Sequence, residues 1–161
     1  MTRGAAAAAL QLATRAAAGA LISVLLAQWL GLEFPLYAMI AAVIVTDLSP
    51  VRTRQLALPR LAGTVLGACV GALAVRWLGT GALAIALGVL IAMFVAQASG
   101  WAEAAKLAGY VCGLVVLEHS AEPWTYALYR FIETVIGIAV AVGISLVPKL
   151  VVLERAKAQA P

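Results

Sequence analysis

With 161 residues, 65% of them apolar and only 11% charged, the chain lies far from the composition of a soluble domain, which is about half apolar and a quarter charged. Its longest polar stretch between apolar runs, residues 49–59, reads as a loop, so a cytosolic enzyme, a nucleic-acid-binding module and a receptor with an extramembrane sensor are excluded. The net charge of +4 therefore speaks through where its charges stand and not as a nucleic-acid footprint.

A bilayer core takes about 20 mostly apolar residues per helix, with a range near 17–25. Residues 1–14, Ala-rich with Arg3, read as a cytoplasmic or interfacial segment, with a short helix over 4–14 that lies at the interface or extends the first span. A cleaved signal peptide looks similar, but five further apolar runs follow and the membrane domain needs the first. Runs without central charges cover 15–32, 35–48, 60–78, 81–98, 103–119 and 127–147. The expectation is an all-α membrane protein whose residues 15–148 form six transmembrane helices, followed by a cytoplasmic tail over 149–161. The second run is short and ends on Thr46 and Asp47, as a steep, broken or re-entrant segment does; a true crossing there keeps the charge pattern consistent. Turn chemistry marks the breaks at Gly31 with Pro35, Ser49 with Pro50, Gly79 with Gly81, Ser99 with Gly100, and Pro123. Cys69 and Cys112 lie inside apolar runs and read as small buried side chains, so no disulfide, metal site or cofactor is expected.

With a cytoplasmic N-terminus the inner side collects Arg3, Arg15, Arg52, Arg54, Arg60, Lys106, Lys149, Arg155 and Lys157, and the outer side keeps Arg76 and Arg130. Nine against two predicts that both termini are cytoplasmic.

An internal repeat constrains the helices further. Arg60-Leu-Ala-Gly-Thr-Val-Leu-Gly67 aligns with Arg130-Phe-Ile-Glu-Thr-Val-Ile-Gly137 at an offset of 70 residues, with Arg, Thr, Val and Gly coincident and Val70 matching Val140. The offset lays the third helix on the sixth, so the chain reads as two units of three spans. An odd number of spans per unit makes the second enter from the opposite face, which predicts two inverted three-helix repeats.

Residues 37–74, with an apolar span, a Ser-Pro and basic loop and then Arg60-Leu-Ala-Gly-Thr-Val-Leu-Gly-Ala, resemble the fusaric acid resistance and aromatic acid exporter superfamily. Tyr129-Arg-Phe-Ile-Glu-Thr-Val-Ile-Gly-Ile-Ala-Val-Ala is similar to the close of that family's membrane unit, and the resemblance covers most of 15–148. It implies a multi-pass protein of the bacterial inner membrane that moves organic anions, in a superfamily that runs from exporters of aromatic carboxylates to plant malate channels. Many relatives carry two such units and a soluble domain. One unit alone implies a pathway completed by self-association, a dimer above all, or by a partner membrane chain.

Gly63, Gly67 and Gly71 recur every four residues on the third helix, and Gly109 with Gly113 repeats the spacing on the fifth. Small residues let helix backbones touch in lipid; both packing inside one chain and a seam between chains fit the pattern. Charges within spans cost at least about 2.5–3.5 kcal/mol at a helix centre and so point to partners or water-filled cavities. Interfacial snorkelling accounts for Glu103, Glu122, Arg76 and Lys149. For Arg60, Arg130, Glu133 and Lys106 both a structural ion pair and a solvated path fit, and Arg130 with Glu133 three residues on is easily paired on one helix face.

The leading functional expectation is an organic-anion exporter or channel whose pathway holds Arg60, Arg130 and Lys106, with Thr64 and Thr134 adding hydroxyl contacts. Helix N-termini at Arg60 and Arg130 add partial positive charge at opposite mouths. Glu133 and Asp47 are the carboxylates suited to proton coupling. The competing class is a non-transporting subunit that docks a partner through its glycine faces. An intramembrane enzyme has little support, because Glu118 and His119, adjacent in sequence, do not share a helix face.

Overall fold

Three of the six helices open on a proline in the first turn, where the missing N–H costs no hydrogen bond: Pro35, Pro50 and Pro123. The computed structural model describes residues 3–118 and 121–147, all of whose regular elements are α-helices. They are α1 (Arg3–Trp29), α2 (Pro35–Val45), α3 (Pro50–Leu78), α4 (Ala82–Ala98), α5 (Ala102–Glu118) and α6 (Pro123–Ser145). His119, Lys149 and the 149–161 tail with Arg155 and Lys157 lie outside the described residues.

Three helices, α1, α3 and α6, are long and apolar enough to cross a bilayer, and α2 and α4 are shorter apolar helices. Residues 50–59, expected as a loop, form the first ten residues of α3. Ser-Pro starts this helix instead of breaking it: the Asp47 carboxylate accepts the Ser49 N–H at 2.8 Å, and Pro50 takes the first turn. Pro59 is carried inside the helix, where its ring removes the N–H that bonds the Gln55 carbonyl. Conversely, α2 is only 11 residues long, about 16 Å at 1.5 Å per residue, roughly half the hydrocarbon thickness.

The first unbroken helix carries a buried clamp. Arg15, 7% exposed, donates to the Val147 carbonyl at 2.6 Å and to the Leu48 and Asp47 carbonyls at 3.4 and 3.5 Å. One guanidinium thus ties α1 to the end of α6 and to the α2–α3 link, so Arg15 is a structural residue. Arg15→Met should lower the melting temperature of the purified protein in detergent, because a hydrogen bond to a charged group is worth about 1.5–3 kcal/mol. An unchanged melt would show that the clamp contributes nothing.

Packing follows the 70-residue offset. Ala38, Ala41, Ala42 and Val45 on α2 are fully buried, and so are Ala108, Val111, Cys112 and Val115, each 70 residues downstream on α5. The heaviest contact joins α3 to α5, and its counterpart joins α2 to α6; α1 packs on α2 as α4 does on α5, and α3 meets α4 as α1 meets α6. Exchanging α1, α2 and α3 with α4, α5 and α6 turns each pairing into its counterpart.

Glycine makes the closest of these approaches. At Gly67 an added Cβ would run into the Ala108 carbonyl and stand 2.9 Å from the Val111 Cβ; at Gly137 it would run into the Ala38 carbonyl and stand 2.7 Å from the Ala41 Cβ. Gly63 and Gly71 also face α5, whereas Gly109 and Gly113 face Met93, Val89 and Ile85 on α4. These glycine faces are therefore occupied within the chain. Gly67→Ala and Gly137→Ala should each cost about 1–3 kcal/mol of stability through overpacking. Gly143→Ala, which meets nothing within 4 Å, should be neutral or stabilise by up to about 1 kcal/mol. Thermal melts of the three variants in one detergent check the contrast, and equal melts would remove it.

All four tryptophans stand at helix ends: Trp29 closes α1, Trp77 is next to last in α3, Trp101 precedes α5 and Trp124 is second in α6. Each is exposed, as indoles at membrane–water interfaces are.

Candidate functional site

The start of α2 leaves Phe34 as an N-cap without a side-chain cap of its own. Its N–H is met from another helix: Glu133 Oε1 on α6 accepts it at 2.8 Å, and Glu133 is fully buried. One turn back, Arg130 is equally buried. Its guanidinium carbon lies 3.6 Å from the centre of the Tyr37 ring, 5.7 Å from Tyr110 and 5.9 Å from Tyr126, and its Nη2 donates to the Tyr110 hydroxyl at 3.1 Å. A guanidinium held this close over a ring face gains a cation–π attraction. Phe34, Tyr37 and Tyr126 pack mutually with centroids 5.5–6.0 Å apart, and Tyr129 joins Phe34 at 6.3 Å.

The expected ion pair between Arg130 and Glu133 is not formed among the described residues. Each has taken another partner, Tyr110 for the cation and Phe34 N–H for the anion. Arg130 Nε and Nη1 and Glu133 Oε2 are left without a hydrogen-bond partner, although the two charges remain within electrostatic reach. Neither arginine stands at a helix start: Arg60 is ten residues into α3 and Arg130 seven into α6, beyond the first turn in which the helix dipole acts.

Arg60, 5% exposed, lies within electrostatic reach of both Tyr110 and Arg130, and its Nε and Nη2 have no partner among the described residues. It also lines a cleft of about 260 Å³ together with Ile44, Pro59, Glu103 and Lys106. Lys106 is exposed there. A second cleft, of about 300 Å³, is lined by Phe34 and Tyr126 with Glu33, Glu118 and Glu122. Arg130 lines neither cleft, but it is within electrostatic reach of Arg60, which lines the first, and 5.9 Å from the ring centre of Tyr126, which lines the second.

The remaining expected residues divide. Thr64 spends its hydroxyl on the Arg60 carbonyl at 2.9 Å, whereas the fully buried Thr134 hydroxyl has no partner among the described residues. Asp47 stands apart from the Arg130 cluster, with its carboxylate on Ser49 N–H and its own N–H on the Thr53 hydroxyl. Tyr37, Tyr110 and Tyr126 escaped the sequence reading because tyrosines in apolar runs count as core. Their signal was the pairing of ring and cation across separate helices, which linear spacing does not carry.

At an offset of 70 residues Glu133 falls opposite Gly63. Offset by 70, the contact between Glu133 and Phe34 corresponds to that between Gly63 and Ala104. In the second half, Ala104 already belongs to α5 and its N–H bonds the Trp101 carbonyl, so glycine suffices. In the first half α2 starts later, and the exposed N–H requires an acceptor.

Comparison with known proteins agrees with this membrane architecture. No curated protein and no solved structure matches the chain. A family model described as fusaric acid resistance protein-like matches residues 20–144. The chain therefore belongs to the fusaric acid resistance protein-like family, a family of multi-pass membrane transport and resistance proteins.

Proposed function

We propose that the protein moves organic anions, aromatic carboxylates above all, across the bacterial inner membrane as an exporter or channel, with a second copy or a partner membrane chain completing the assembly. The observation that carries this reading is the series of cations running through the helices, from Lys106 and Arg60 at one cleft, past Tyr110, to Arg130 behind the other. Buried guanidinium groups with unfilled donors are costly unless an anion or water meets them. Tyr37, Tyr110, Tyr126 and Phe34 around Arg130 supply ring faces and edges that suit an aromatic acid. Thr134 adds a hydroxyl on the same face, and Glu133 rather than Asp47 is the carboxylate placed for proton coupling.

The membrane arrangement proposed with it has six spans in two inverted three-helix units and both termini in the cytoplasm. The matched burial of α2 and α5 and the matched glycine contacts support the repeat. Residues 32–34 and 46–49 flank the short α2 and lengthen it into a broken crossing, at up to about 3.3 Å for a residue that is extended. Irregular backbone at membrane depth is tolerated where protein satisfies it, as Glu133 does for Phe34. The basic cleft then faces the cytoplasm and the acidic one the exterior.

Two measurements test this reading. Single cysteines in a background free of Cys69 and Cys112 should react with an impermeant maleimide from outside at positions near Gly79 and Pro123 and stay protected near Thr53; the reverse pattern would refute the topology. In liposomes, Arg60→Lys and Arg130→Lys should slow benzoate flux about tenfold or more, equivalent to ~1.4 kcal/mol, because an ammonium lacks the planar fork that pairs a carboxylate. Parent-rate flux in both lysine variants would make the arginines structural.

A further inference from the structure

On the anion-transport reading, we infer that Glu133 is a tethered competitor: its carboxylate occupies, at the start of α2 beside Arg130, the seat that the substrate carboxylate takes. The seat has two independent parts. One is the Phe34 N–H at the head of an 11-residue helix that has no side-chain cap of its own, a place where backbone donors and the helix dipole favour negative charge. The other is the fully buried Arg130, whose Nε and Nη1 have no partner among the described residues.

Glu133 fills the first part and leaves the second unmet. A fully buried carboxylate with one oxygen bonded and the other, Oε2, without a partner, one turn from a cation that it does not bond, is poorly matched as a structural ion pair. It is well matched as an anion that another anion can replace. The charged groups around it are Arg130 and Glu33, with Arg60 next to Arg130. Two buried arginines against one buried carboxylate leave the cluster short of one negative charge. An aromatic acid arriving from the Arg60 cleft displaces Glu133 from Phe34 N–H, and Glu133 returns to that N–H once the acid has left towards the second cleft.

Glu133→Gln tests this directly, since the amide oxygen still accepts from Phe34 N–H while the competing charge is gone. Benzoate binding to the detergent-purified full chain, measured by titration calorimetry, should tighten about tenfold or more, and Arg130→Gln on top of Glu133→Gln should abolish it. In liposomes the benzoate concentration for half-maximal flux should fall in parallel. Tighter binding without flux in any variant would keep the tethered competitor and remove transport. Flux with unchanged benzoate affinity and unchanged half-saturation in Glu133→Gln would overturn the competitor and keep transport. Where Glu133→Gln does not fold, the parent protein decides: saturating benzoate, with the carbodiimide kept in excess of it, should raise carbodiimide labelling of Glu133, read by mass spectrometry, and unchanged labelling would overturn the inference.

Discussion

A backbone N–H taken into a protein interior needs an acceptor there, and in this protein that constraint is met at Phe34 by a carboxylate from a different helix. Because α2 begins late, its first donors stand within the molecule and not at its edge. Glu133 is drawn to them, Arg130 is left to the tyrosines, and α6 is held against α2 where Gly137 already brings the backbones together. The cluster follows from a short helix whose start had to be satisfied by protein.

Close packing and polar satisfaction have separate supports. Small residues line the contacts of α3 with α5 and of α6 with α2, where carbonyls leave no room for a methyl group. Polar work falls to a few long side chains that reach across helices: Arg15 to the carbonyls of Leu48 and Val147, Arg130 to Tyr110, Glu133 to Phe34. In a medium without a hydrophobic drive between helices, this division lets the bundle cohere through contact while its charges stay available.

Helix content and the approximate bounds of the apolar runs were legible because length and hydropathy dominate a membrane chain. The Arg, Thr, Val and Gly coincidences at residues 60–67 and 130–137 anticipated buried positions that match side by side. Residues 50–59 were misread because charge and proline suggested a loop, whereas Pro50 opens a helix and Pro59 is tolerated within one. At the site, Arg60, Arg130 and Glu133 were singled out on the cost of burying charge, but their partners were not. Spacing of three residues favoured an ion pair within α6; the pull of Phe34 N–H and of the Tyr37 ring comes from α2, which is distant in sequence and visible only in three dimensions.

The glycine at position 63 and the buried glutamate 70 residues on, at 133, make the two halves of the chain unlike where they otherwise match. Here the equivalent positions carry a hydrogen atom in one half and a carboxylate in the other. That difference puts a charge-bearing side chain into the core at one place and none at its match, so the two clefts, one holding Arg60 and Lys106 and the other Glu33, Glu118 and Glu122, are not interchangeable.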